Sequence, residues 1–201
     1  MLRLGLIGTA FTAVYRQSPA LADAPGATAT GTVRAFYQTL LASMKQGTQL
    51  GFAGRRNQLE PAVLNAFDMP RMTQLAVGLR WRTLSPPQQQ QLIAAFGVYS
   101  AATYADRFTN YGGEHFEIDN TTTPTREGVI VHTRLIPHNG TPVRLDYLMR
   151  QTTGVWKIED VYLSGTVSEL ATRRSEFSSV LDRGGPQALV DILRKKSAEP
   201  S

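Results

Sequence analysis

His132 and Asp146 are the one pair in this 201-residue chain whose types and spacing could support acid–base chemistry. The segments around them alternate apolar and polar residues, Val129-Val131-Leu135 on one side and Val143-Leu145-Tyr147 on the other. If Val131 and Leu135 share a buried face with Val143 and Tyr147, the loop around Asn139-Gly140 holds an odd number of residues. His132 then stands directly across from Asp146. A three-residue loop with Gly140 at positive φ meets this condition, whereas a two-residue turn sets Arg134 beside Leu145. An imidazole held by a carboxylate can act as a general base. Both side chains leave the face opposite Val131, Leu145 and Tyr147, however, so a structural pair on the outer face beside Arg134 and Arg144 is expected. Glu159 and Asp160 are neighbours that normally point to opposite strand faces, and they read as surface charge and bulge packing. His115, His132 and His138 fall on different elements at no ligand spacing. The absence of Cys removes thiolate metal sites, iron–sulfur clusters, disulfides and cysteine nucleophiles. No G-x-S-x-G, G-x-x-x-x-G-K-[ST] or H-E-x-x-H occurs, and Gly51-Phe52-Ala53-Gly54-Arg55 lacks the Lys and flanking strand of a phosphate loop. Neither a cofactor nor catalytic turnover is expected.

The elements that must position these residues begin after an export signal. Arg3, the uncharged stretch Leu4 to Val14 and Ala20-Leu21-Ala22 make a secretory leader over residues 1–22, too short to span a bilayer. Removing it takes Arg3 and Arg16 and lowers the net charge from +5 to +3, which does not suggest a nucleic-acid partner. Residues 23–31 read as a flexible lead-in, 32–196 as one domain and 197–201 as a flexible tail. Val33, Phe36, Tyr37, Leu40, Leu41 and Met44 mark one helical face, stopped by Gly47. A second helix is expected over Leu59 to Phe67, and Asp68 caps a third that contains Pro70 and ends at Gly78. Trp81 and Leu84 read as buried punctuation. Ser85-Pro86-Pro87-Gln88 is a capping box opening a long helix through Leu92, Phe96, Tyr99 and Thr103, closed by Tyr111-Gly112-Gly113. From Glu114 the period becomes two, giving four antiparallel strands with a bulge at Glu159-Asp160 that realigns Val161 and Leu163 with Trp156 and Ile158. Two closing helices carry Val167, Leu170, Phe177 and Leu181, then Leu189, Val190 and Leu193, divided by Gly184-Gly185. The class is α+β, a curved four-stranded antiparallel sheet packed against a helical layer. A bent sheet facing helices can be filled with core or left hollow for an apolar ligand.

Phe67-Asp68 with Met69 and Met72, the Gly78-x-x-Trp81 step, Trp156-Lys157-Ile158-x-Asp160-Val161, and Gly165 leading to Arg174-Ser175-Glu176-Phe177 together resemble the MlaC/toluene-tolerance family. The similarity spans about Thr32 to Leu193. Leu50-Gly51-Phe52-x-Gly54-Arg55, Tyr104-Ala105-x-Arg107-Phe108 and the run Ser168 to Phe177 look like its hopanoid-associated HpnM branch. The resemblance implies an NTF2-like or cystatin-like sheet and a monomeric periplasmic carrier of phospholipid or hopanoid-related lipid. Such a carrier exchanges lipid with inner-membrane ABC/MCE-type transporter components. On this reading the cavity is lined from Phe36, Leu40, Leu75, Phe96, Tyr99, Val131, Leu135, Tyr147, Met149, Trp156, Val161, Leu163 and Phe177. Arg80, Arg82, Arg173 and Arg174 could meet anionic headgroups or an acidic partner. In the wider family an aromatic commonly stands in place of Arg173, and Gly165-Thr166-Val167-Ser168 is one residue longer than the usual Gly-x-Ser. Two alternatives stay open: an NTF2-like isomerase or dehydratase using His132 and Asp146, and a transporter adaptor with a filled core.

Overall fold

The computed structural model describes residues 28–200; the leader expected over residues 1–22 lies outside the described residues. Helix α1 covers Ala29–Lys45, starting inside the expected lead-in because Thr28 Oγ1 accepts from the Gly31 amide at 2.9 Å and caps it. Its apolar stripe, Val33, Phe36, Tyr37, Leu40 and Met44, is buried, as the i, i+3, i+4 spacing requires. Gly47 does not stop the helical run. The Gln46 carbonyl accepts from the Gln49 and Leu50 amides, so α2 (Gly47–Ala66) restarts at once and bends at Gly51, φ 59°. The expected start at Leu59 is therefore corrected by twelve residues, and the Gly51 to Arg55 segment is helical. Helix α3 (Met69–Val77) is capped by Asp68, whose carboxylate accepts from the Arg71 amide, and ends at Gly78, φ 70°. A 3-10 turn, Gly78–Thr83, leads through half-buried Trp81 to the Ser85 capping box and α4 (Pro86–Arg107). That helix ends before Tyr111-Gly112-Gly113, at Phe108, which takes an extended turn conformation with φ −115° and ψ 72°.

The sheet is a meander of β1 (His115–Pro124), β2 (Val129–Ile136), β3 (Val143–Thr152), β4 (Val155–Leu163) and β5 (Val167–Ser168), each antiparallel to the next. It thus has five strands and not four. Positive φ at Ser164 and Gly165 (52° and 74°) folds Val167-Ser168 back onto Leu163 and Tyr162, which removes Val167 from the helix expected there. The register pairs Val131 with Tyr147, His132 with Asp146 and Leu135 with Val143, as the parity argument requires. The β2–β3 connection is longer than a three-residue turn, since the last bonded pair is Leu135 with Val143. Gly140 does have positive φ, at 119°. Leu148 faces Asp160 while Met149 faces Ile158, leaving Glu159 as the extra residue of a bulge. A second irregularity lies between Ile118 and Thr122 of β1. Bulges increase local twist and bend, so the two together curve the inner face.

Helix α1 lies in that concavity, packing on β1 to β4, while α4 packs on α2 and α5. Thr32 Oγ1 donates to the Trp156 carbonyl at 2.9 Å, and the Tyr37 hydroxyl meets Thr133 Oγ1 at 2.6 Å. The Asp160 carboxylate accepts from the Val161 and Leu170 amides and from Ser168 Oγ at 2.7, 3.0 and 2.6 Å. The bulge thereby fixes where α5 (Glu169–Ala198) begins. Glu159 is likewise buried rather than surface charge, held by Arg150 Nε at 2.5 Å and Arg71 Nε at 3.5 Å. Helix α5 breaks at Gly185, φ 71°, as the glycine pair suggested, and runs on to Ala198, into the expected tail. Ser197 there is buried, donating to the Leu193 carbonyl and receiving Arg56 on its own carbonyl.

Candidate functional site

Between the inner face of β2, β3 and β4 and the helices α4 and α5 lies a cavity of about 230 Å³. The sheet supplies Leu135, Val143, Leu145, Tyr147, Val161 and Leu163, all on one face because the register and the Glu159 bulge align them. Helix α4 supplies Phe96, Tyr99, Ser100, Thr103, Tyr104 and Arg107, a stripe at helical spacing, with Phe108 just beyond. Glu169, Leu170 and Arg173 come from the first turns of α5, and Phe67 and Met72 close the remaining wall. The lining is overwhelmingly aromatic and aliphatic.

Charged groups are confined to the junction of α4 and α5. Arg107 Nη1 lies 3.6 Å from Glu169 Oε1, and Arg173 Nη2 lies 3.4 Å from Glu169 Oε2. Arg173 also reaches Glu176 at 2.8 Å and stacks its guanidinium over Tyr99, 5.2 Å from the ring centroid. Ser100 Oγ donates to the Phe96 carbonyl at 2.8 Å and Thr103 Oγ1 to the Tyr99 carbonyl at 2.9 Å. Deeper in lie the phenols of Tyr104 and Tyr147, and burial pushes both well above the usual tyrosine range. Burial also pushes Tyr37, behind them, to about 12.

Of the residues expected to form the site, Phe96, Tyr99, Leu135, Tyr147, Val161, Leu163 and Arg173 line the cavity. Phe36, Leu40, Val131, Met149 and Phe177 are instead core. Phe36 stands behind the wall, its ring edge-on to Phe67 and Tyr104 at 5.2 and 5.0 Å, and Phe177 likewise backs Phe96 at 5.1 Å. Leu75 and Trp156 are half-buried and pack against that core. Arg80 forms an ion pair with Asp182, Arg82 is exposed on the 3-10 turn and Arg174 is exposed on α5, so these three stand apart from the cavity lining. Among the lining residues that sequence reasoning missed are Tyr104, Arg107 and Glu169. The signal for the first two was available, since they continue the Phe96-Ser100 stripe by helical steps.

His132 and Asp146 meet as the register requires, Nδ1 to Oδ2 at 3.2 Å, on the face opposite the cavity. Arg144 Nε donates to both Asp146 oxygens at 3.0 Å, and Thr123 Oγ1 lies 2.8 Å from His132 Nε2. Asp146 is buried beneath these partners rather than lying open on the surface. The carboxylate is engaged by a guanidinium and both ring nitrogens have partners, an arrangement that fixes a strand pair. Among the described residues no group of three or more His, Asp or Glu could hold a metal ion, and no helix is long and apolar enough to cross a membrane.

Residues 34–195 match the family described as MlaC protein. Among solved structures, a phospholipid-binding protein from Ralstonia solanacearum, determined in complex with a phospholipid, superposes with a TM-score of 0.71 at 27% identity. That match covers 85% of this chain and 97% of the other.

Proposed function

The chain belongs to the MlaC protein family, and on that footing we propose that it is a periplasmic carrier that shelters phospholipid acyl chains in the cavity between sheet and helices. The observation that carries this reading is the cavity itself, lined by aromatic and aliphatic side chains with charge only at the α4–α5 junction. The solved relative bound to a phospholipid supports it. Each methylene removed from water contributes about 0.8 kcal/mol, so partial shelter of two chains offsets much of the cost of leaving a bilayer. At about 230 Å³ the cavity is smaller than the roughly 300–1,000 Å³ of typical ligand sites. In finer detail, the motifs from Leu50 to Arg55 and from Ser168 to Phe177 resemble the hopanoid-associated branch and support the reading that the chain belongs to it. That branch implies an NTF2-like sheet, a monomeric carrier and lipid exchange with an inner-membrane ABC/MCE-type system.

Native mass spectrometry of the protein purified from a cell envelope, followed by identification of the extracted lipid, tests the reading. The expected result is a one-to-one phospholipid or hopanoid-related adduct. A bare mass that persists after incubation with phospholipid vesicles overturns it in favour of a transporter adaptor.

A further inference from the structure

Apart from the tyrosine hydroxyls, the polar side chains that line the cavity form one seam with a defined hydrogen-bonding sense. Ser100, Thr103 and Arg107 follow at i, i+3 and i+7 on α4, opposite Glu169 and Arg173 at i and i+4 on α5. The hydroxyl protons of Ser100 and Thr103 are directed to the carbonyls of Phe96 and Tyr99. Toward the cavity these two oxygens therefore offer lone pairs only. Glu169 offers lone pairs too, and its contacts with Arg107 and Arg173, at 3.6 and 3.4 Å, are longer than the roughly 2.7–2.9 Å of well-formed charge-assisted bonds. The seam thus pairs two guanidinium donors with a cluster of three acceptors that lacks a close donor.

We propose that this seam reads the lipid headgroup and selects phospholipids that end in a primary amine. The proposal rests on the carrier reading above. A phosphate takes the guanidinium donors of Arg107 and Arg173, which is the pairing arginine geometry favours. Glu169 then faces the headgroup without its two cations. An ethanolamine ammonium supplies the missing charge and three N–H donors, enough for Glu169, Thr103 and Ser100. A choline carries the charge but no N–H, and the face of Tyr99 beside the seam is already covered by Arg173. A glycerol headgroup has donors but no cation, so Glu169 keeps an uncompensated charge. With Arg173 also holding Glu176 at 2.8 Å, the seam balances two positive and two negative side chains and matches a zwitterion better than an anion.

The test is competitive loading. Protein purified from a cell envelope and stripped of lipid is incubated with vesicles holding equimolar dioleoyl phosphatidylethanolamine, phosphatidylglycerol and phosphatidylcholine. The bound lipid is then counted by native mass spectrometry. The expected outcome is enrichment of the ethanolamine lipid by about tenfold over the choline lipid, the size of one charged hydrogen bond. In Glu169→Gln, that enrichment falls to about twofold, because one neutral hydrogen bond replaces an ion pair. Should that variant fail to fold, Thr103→Val, which deletes one acceptor of the same seam, is expected to lower the enrichment severalfold. Lipids bound in vesicle proportion, or an enrichment that survives the substitutions, overturn the proposal while leaving the carrier intact. No lipid of any class on the unaltered protein overturns the carrier and the proposal together.

Discussion

Tyr37, Tyr104 and Tyr147 place three phenols in the interior beside an apolar cavity, and the hydrogen-bond direction at Tyr37 is determined. Thr133 Oγ1 donates to the Leu145 carbonyl at 2.5 Å, so its proton is committed and Tyr37 must donate to Thr133 at 2.6 Å. Burial raises the Tyr37 phenol from its ordinary value of 10 to about 12. Between these values the unfolded chain has released a proton that the folded chain keeps, so stability falls as pH rises through this window. Tyr37→Phe is expected to lose about 1 kcal/mol at neutral pH, the worth of one buried hydrogen bond. Since the variant lacks this titration, the gap between the two proteins narrows toward about pH 12. Denaturant unfolding at a series of pH values checks this, and a pH-independent gap contradicts it. At this scale the inward residues of the strands were legible, because alternation and the bulge together orient Leu135, Tyr147, Val161 and Leu163. Periodicity reports only that a side chain points inward, and this is why Phe36, Met149 and Phe177 could not be told from cavity lining. Glu169 was illegible for the opposite reason: a charged residue on a helix reads as solvent-facing.

The helices are divided by glycines that act in two different ways, and substitution separates them. Gly185 has φ 71° and an added Cβ would meet nothing within 4 Å, so Gly185→Ala carries a purely conformational cost. With ψ at −170° the residue lies in a region that essentially only glycine adopts, so the alanine costs about 1–3 kcal/mol and Gly185→Asn recovers none of it. Gly47 is the reverse case: an added Cβ would stand 1.8 Å from the Thr109 carbonyl oxygen, which is backbone and cannot step aside. Gly47→Ala is expected to cost more than Gly185→Ala, about 3 kcal/mol or above, with displacement of the α2 start. Equilibrium unfolding of the two variants gives the comparison, and equal losses would show that Thr109 yields freely. The breaks at Gly78 and Gly185 and the caps at Asp68 and Ser85 were legible because their chemistry is local. The early start of α2 was not. Gly47 reads as a helix stop, yet Arg55 reaches the Gly47 carbonyl at 3.0 Å and the Ala105 carbonyl at 2.9 Å, and this tertiary tie holds the restart against α4. The two-residue β5 also escaped, being too short for any alternation to show.

For the molecule as a whole the decisive question is whether the space under the curved sheet can be filled without harm. Curvature comes from the Glu159 bulge and the irregular stretch of β1, and it leaves room because α1 occupies the concavity while α4 rests on α2 and α5. Two residues of the same sheet face test the consequence. Leu135 lines the cavity, so the indole of Leu135→Trp has space to enter. Met149 is fully buried in the core, so Met149→Trp forces its larger side chain into packed surroundings. Overpacking of that kind costs about 1–3 kcal/mol. Leu135→Trp is expected to unfold near the parent midpoint while binding severalfold less phospholipid in vesicle incubation. Met149→Trp is expected to lose stability but, where folded, to load lipid like the parent, because its side chain does not reach the cavity. The crossed pattern, stability without loading in one variant and loading without stability in the other, follows only if the cavity is both empty of core and the place where lipid goes. If both variants lose stability alike, the space is ordinary packing slack and the protein bridges its partners without carrying cargo.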